Sequence, residues 1–247
     1  MGCSRGRSMV PRGLRQGPKR SIKLRPVSSD VAIVTTAWGD YWDRFGDRWM
    51  QSVLALEDTP GEVIIASDRL VDVPDGWRVV TAVEPHFLDA WYWAIHRAHS
   101  PLIFMCGLDD EVTPNAMTDL PEVWDVVYGP QMAGDKIHGP NREGWERILE
   151  ETEDWFPCTG WNLIRRDIYL KYPQRRVVWA DWIMAMELKY HGVDVRFDDT
   201  IRQRYNLHDG QHSRSQSMKP LVNIRKYRPY IKAGRVLPGL EWPPICT

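Results

Sequence analysis

The sequence predicts an α/β domain with a mainly parallel central sheet flanked by helices. Three observations predict it: short β-branched apolar runs of strand length, apolar stripes at helical spacing between them, and an acidic cluster just past one run. The chain has 247 residues, 43% hydrophobic and 26% charged, which is a globular composition. That length fits one large domain with extensions and buries a sizeable core without disulfide staples.

Residues 1–29 are rich in Gly, Pro, Ser and Arg and carry no periodic apolar face, so they read as an irregular basic arm. Order begins with Val31-Ala-Ile-Val-Thr35-Thr36, suited to a buried parallel strand. Phe45, Trp49, Val53 and Leu56 then recur at helical spacing, and Thr59-Pro60-Gly61 ends that helix. Val63–Ala66 and Trp77–Val80 read as two further strands separated by a Pro-Asp-Gly turn. Leu88, Trp91, Ile95 and Ala98 mark the next helix, which leads into the apolar strand Leu102–Met105.

Several classes are excluded by what is missing. No Gly-x-Gly-x-x-Gly follows the first strand, and no Gly-x-x-x-x-Gly-Lys occurs, which argues against a dinucleotide dehydrogenase and a P-loop NTPase. Nothing approaches the roughly 18 consecutive apolar residues of a membrane span. The basic N-terminus lacks the apolar segment of a secretory signal. The four cysteines (Cys3, Cys106, Cys158, Cys246) form no Cys-x-x-Cys pair, and a reducing cytoplasm is the expected compartment.

Ligands of an open α/β sheet sit at the carboxyl ends of its strands. There the run Leu102–Met105 gives way to Cys106-Gly107-Leu108-Asp109-Asp110-Glu111. Three adjacent carboxylates repel one another, and a divalent cation, Mg2+ or Mn2+, suits such hard oxygen ligands and bridges a diphosphate. The alternative is a solvated acidic turn that caps a following helix. Thr35, Thr36 and Trp38 after the first strand, and Asp68 after the second, are placed to cradle a nucleobase and ribose, or are ordinary strand-end polar residues.

Leu108-Asp109-Asp110-Glu111 followed by Pro114 resembles the Asp-x-Asp region of GT-A-fold glycosyltransferases, in particular the family-two-like group that uses nucleotide-diphosphate sugars. Asp125–Gly129 resembles the strand after the metal loop, and Thr159-Gly160-Trp161 to Arg166 the segment lining the acceptor. Trp179-Ala180-Asp181-Trp182, opening a helix to His191, resembles the element carrying the catalytic base. Arg204–Gly210 resembles the late stretch whose histidine ligates the metal. The resemblance covers residues 30–215, divided into a nucleotide-sugar half (30–115) and an acceptor half (116–215), with a basic extension at 216–247. It departs from the pattern at Gly107, where relatives carry an acid, and at Ala180, where they carry Glu.

The resemblance implies a metal-dependent, inverting transferase that takes a nucleotide-diphosphate sugar as donor. Asp109, Asp110 and His208 are the implied metal ligands, with Glu111 as a helper; Asp109 also contacts the donor, and Asp181 is the base. Thirteen tryptophans supply flat faces for sugar stacking. Trp49 and Trp91 lie on core stripes, whereas Trp161, Trp179 and Trp182 flank the acceptor motifs with Gly160.

The formal charge of −1 conceals an uneven distribution. Residues 1–26 hold eight basic side chains and no acidic one, residues 201–247 hold nine basic and two acidic, and the middle is strongly acidic. In the C-terminal stretch, Arg214, Lys219, Arg225, Lys226, Arg228, Lys232 and Arg235 interleave with Tyr227 and Tyr230, a pattern suited to a polyanion. Nucleic acid is therefore an expected partner, and enzymes that glycosylate hydroxymethylated bases of phage DNA are one such class. A cell-surface saccharide or lipid-linked acceptor, and a non-catalytic domain that binds sugar nucleotide or glycan, are the other readings.

Overall fold

A computed structural model describes residues 27–81, 87–121, 124–139, 142–150, 161–174, 180–206, 208 and 220–234. The first half follows the expected order: β1 (Val31–Ala37), α1 (Tyr41–Leu54), β2 (Glu62–Ser67), β3 (Arg78–Thr81), α2 (Phe87–Arg97) and β4 (Leu102–Met105). β1 pairs in parallel with β2 and β4, and β2 in parallel with β3. The chain then adds β5 (Glu111–Val112), β6 (Val126–Tyr128), β7 (Gln131–Ala133), β8 (Lys136–His138), α3 (Arg142–Arg147), β9 (Trp161–Arg165) and α4 (Arg166–Lys171). It closes with α5 (Ala180–Tyr190), β10 (Val195–Phe197), β11 (Gln203–Tyr205) and α6 (Pro220–Lys232).

Seven strands form the main sheet in the order β10-β6-β9-β4-β1-β2-β3, and β9 runs antiparallel to both neighbours. This is the expected α/β architecture with a mostly parallel sheet. A second sheet, β5-β11-β7-β8, was not anticipated. Its strands are only two or three residues long, too short to show an alternating pattern.

Side chains of a strand alternate between faces, and β1 sorts the core accordingly. Val31 and Ile33 face Phe45, Trp49 and Val53 of α1, while Ala32 and Val34 face a larger cluster that includes α2 and α5. Trp49 and Trp91 are core residues, as their stripes predicted. Among the described residues no helix is long and apolar enough to cross a membrane.

α6 corrects part of the reading of the basic C-terminal stretch. It packs on α5, and Tyr227, Arg228 and Ile231 are buried. Tyr227 and Ile231 belong to the same core cluster as α5. One helix face has claimed two residues read as polyanion contacts, because a helix buries a stripe whatever its overall charge. Lys226 and Lys232 are exposed. Residues 1–26, Arg214, Lys219 and Arg235 lie outside the described residues, as does the Arg225 side chain.

The segment before β11 is fastened to the segment after the acidic cluster. Arg202 is fully buried; its guanidinium donates to the carbonyls of Ala116 and Thr118 and pairs with Asp198. Burial raises the Asp198 carboxyl, but the hydrogen bonds from Arg202 and Thr200 and the Arg202 charge together outweigh it and hold the group below the usual carboxylate range. The Thr113 N–H donates to the Arg202 carbonyl at 3.0 Å, and its hydroxyl to that of Ile201 at 2.7 Å. Removing one partner of a buried ion pair strands the other charge. Arg202→Met should therefore lower unfolding stability by about 3–5 kcal/mol in urea titrations.

Gly61 is fixed by space: a Cβ there would sit 2.0 Å from the Ser29 carbonyl oxygen. Gly61→Ala should cost about 1–3 kcal/mol by the same measurement, since backbone on both sides must move.

Candidate active site

The acidic loop leaves β4 at the point where the strand order reverses, beside the carboxyl end of β1. The Cys106 N–H still donates to the Val34 carbonyl at 3.1 Å, so pairing persists one residue past the strand. The chain then turns, with the Asp110 N–H donating to the Gly107 carbonyl at 3.1 Å. A Cβ on residue 107 would lie 2.8 Å from Asp109 Oδ1 and 3.2 Å from Asp110 Oδ2. Glycine at this position, where the resemblance expects an acid, leaves room for the two carboxylates that follow.

Strand β11 supplies the other wall. Asp110 is 5% exposed, and both its oxygens are engaged: Gln203 Nε2 donates to Oδ2, and the Asn206 N–H donates to Oδ1 at 3.1 Å. Burial, with the charge of Asp109 second, pushes the Asp110 carboxyl well above its usual range despite these two bonds. Two residues further on, His208 Nε2 lies 3.0 Å from Asp109 Oδ2. The ring of His208 packs 4.7 Å from that of Phe45, and Tyr41 stands edge-on to it. Burial and then the Asp109 charge raise the Tyr41 hydroxyl pKa, so the phenol stays protonated.

Helix α1 grips the same loop from outside. Arg48 Nη2 donates to the Asp109 carbonyl at 2.8 Å, and its Nε lies 3.3 Å from Glu111 Oε1. Arg204 approaches Glu111 from β11 at 4.0 Å. Asp109 and His208 thus face each other with partly exposed side chains, while Asp110 turns inward. Among the described residues no three His, Cys, Asp or Glu side chains are grouped to hold a metal ion. A carboxylate and an imidazole nitrogen at 3.0 Å are nevertheless donors of the kind a divalent cation takes.

The remaining candidates fall in three places. Asp68 Oδ2 accepts from the Gly39 N–H at 3.0 Å and so ties the end of β2 to the turn after β1. Gly39 has φ 59°, a conformation only glycine takes freely. Thr36 and Trp38 are half-buried at this rim. Thr35 is fully buried, on the face of β1 opposite Thr36.

Asp181 is in the first turn of α5, on the face of the sheet opposite α1. Burial pushes its carboxyl up to about 6, against the lowering effect of the backbone N–H groups of Trp182 and of Asp181 itself. Trp182 is half-buried against the same core cluster. Trp161 starts β9 with its backbone paired to Tyr128, but its side chain, together with Gly160 and Trp179, lies outside the described residues.

Arg48, Gln203 and Asn206 were not singled out from the sequence as site residues. The signal for Arg48 was its place between Phe45 and Trp49 on the α1 stripe, four residues after Arg44. Asn206 stood inside a quoted motif without a role, and Gln203 carried no signal.

No family model matches the chain. A valine--tRNA ligase of Rhizorhabdus wittichii is 30% identical over 122 residues, covering 47% of this chain but only 13% of the ligase's own length. Among solved structures, S. aureus TarS 1-349 in complex with UDP-GlcNAc superposes with a TM-score of 0.57 at 10% identity, over 83% of this chain and 70% of that one. Glucosyl-3-phosphoglycerate synthase from Mycobacterium tuberculosis, in complex with Mn2+, UDP and glucosyl-3-phosphoglycerate, gives 0.54 at 11% identity, over 85% and 81%. The chain has the GT-A-type α/β fold of these sugar-nucleotide-bound structures.

Proposed function

We propose that the chain transfers a sugar from a nucleotide-diphosphate donor to a hydroxyl acceptor, with inversion at the anomeric carbon. The observation that carries this reading is the Asp109–His208 pair at the strand-order reversal of a fold whose solved examples hold UDP or UDP-GlcNAc. Asp109 and His208 would hold Mn2+ or Mg2+, which neutralises the diphosphate as it departs. The Asp68–Gly39 tie, with Thr36 and Trp38, shapes the rim that receives the nucleoside.

Asp181 is the base in this reading. The acceptor oxygen bonds to the anomeric carbon as the bond to the diphosphate oxygen breaks, and the hydroxyl proton passes to the Asp181 carboxylate. A carboxyl titrating near 6 is ionised at neutral pH yet more basic than an ordinary aspartate, which suits proton acceptance. Its position at a helix N-terminus favours the anion and opposes the effect of burial.

For the acceptor we favour a polyanion, with DNA bearing hydroxymethylated bases as the specific candidate. Exposed Lys226 and Lys232 on α6 and the basic residues 1–26 support this reading. Burial of Tyr227 and Arg228 removes one aromatic and one cation from it. A donor-by-acceptor screen that reads nucleotide diphosphate release decides: transfer only to a saccharide or lipid-linked acceptor overturns the DNA assignment, and no transfer from any donor leaves a binding domain.

Chelation of divalent ions, or Asp109→Ala, should weaken UDP binding more than 10-fold by calorimetry; unchanged affinity sinks the cation role. Asp181→Asn should keep donor affinity and lower kcat by about 10²- to 10⁴-fold, and the wild-type rate should rise with pH through about 6 and then level off.

The same substitution carries a stability signature. A carboxyl raised from 3.8 to about 6 binds its proton more tightly in the folded chain, so its favourable contribution is complete below pH 3.8 and is lost as pH rises through 6. Asp181→Asn should therefore be more stable than wild type at pH 7.5, by on the order of 1–2 kcal/mol in urea titrations, and match it at pH 3.5. Equal stability at both values would remove the raised pKa.

A further inference from the structure

We propose that Asn206 is the positioning residue for the Asp109–His208 pair, an inference that deepens the donor-site reading above and rests on it. Asn206 meets three successive acidic residues. Its backbone N–H donates to Asp110 Oδ1 at 3.1 Å, and its side-chain Nδ2 donates to the Asp109 carbonyl at 3.1 Å and to Glu111 Oε1 at 3.3 Å. A carboxamide nitrogen has two hydrogens, which match these two acceptors, one a main-chain carbonyl and one a carboxylate oxygen. His208 follows two residues later, with Nε2 at 3.0 Å from Asp109 Oδ2.

The chemistry at residue 206 is restrictive. A carboxylate there has no hydrogen to offer the Asp109 carbonyl and sets a fourth negative charge beside Glu111. A short apolar side chain keeps the bond to Asp110 but frees the main chain of Asp109. Arg48 reaches the same two acceptors from α1, at 2.8 Å to the Asp109 carbonyl and 3.3 Å to Glu111. Its side chain is 44% exposed, so water competes for it, whereas Asn206 is half-buried. Arg48 and Asn206 hold the loop from opposite sides, and only Asn206 lies on the segment that carries His208.

The test uses the full chain and two readouts. In metal-free protein, imidazole 15N spectra of His208 should show Nε2 hydrogen-bonded in wild type and shifted toward free imidazole in Asn206→Ala and Asn206→Asp. The melting temperature of Asn206→Ala should stay near wild type. Mn2+-dependent affinity for UDP should fall about 10- to 100-fold in both variants, the range for residues that orient metal ligands. Thr118→Ala, which removes only a local bond to the Asn115 carbonyl, should change neither readout.

An unchanged His208 spectrum in both variants overturns the proposal, whatever happens to UDP binding. Should the alanine variant unfold, Asn206→Asp, which lacks both amide hydrogens at the same size, decides alone, and a wild-type His208 spectrum in it overturns the proposal equally. If wild-type protein binds UDP without any dependence on Mn2+, the donor-site reading fails, and the spectrum alone then decides whether Asn206 positions His208.

Discussion

Asp110 sits almost wholly out of water beside two other carboxylates, and the amide groups of Gln203 and Asn206 hold it there. A buried carboxylate without donors would be costly by several kcal/mol, so the acidic loop and β11 are obligate partners. From this constraint follow the placement of His208, the outward turn of Asp109, and the absence of a side chain at Gly107. The small second sheet is the scaffold of that arrangement, since β11 pairs with β5 from the last acidic residue, Glu111, onward.

The main sheet places the acidic loop and Asp181 on different faces. α1 and the acidic loop share one core cluster, and α5 with Asp181 shares the other. A donor at the strand-order reversal and an acceptor above α5 would meet across the carboxyl edge of the sheet. Buried strands make that edge rigid, which suits a reaction governed by alignment. The pKa values fit this division. Asp181 is raised by burial alone, whereas Asp110 is raised by burial and by a neighbouring charge.

Much of the fold was legible because β1, β2 and β4 are apolar runs of strand length and α1 and α2 carry apolar stripes at helical spacing, while α5 was legible by resemblance. Val31–Val34 could not be mistaken for a polar turn, and Trp49 fell on its stripe as core. The strands of the second sheet were illegible, being too short for alternation. Asp109 and His208 were legible by resemblance, and the structure brings them together. Gln203 and Asn206 were not, because a polar residue announces no partner when that partner is 93 to 97 positions away. Tyr227 and Arg228 misled for the opposite reason: their residue types suggested a ligand, while helical geometry assigned them to a buried face.

The stitching of Arg202 and Thr113 has a consequence for how the molecule forms. The acidic loop and β11 are separated by most of residues 116–200, so their contacts close a loop of roughly ninety residues before any favourable energy is recovered. Strand pairing of such range is slow relative to the local β1-to-β4 unit. The contacts that fix the acidic loop are therefore among the long-range ones of the fold, outside the local β1-to-β4 unit. Because Asp110, Asn206 and His208 join the acidic loop to β11, local opening of that strand would part His208 from Asp109.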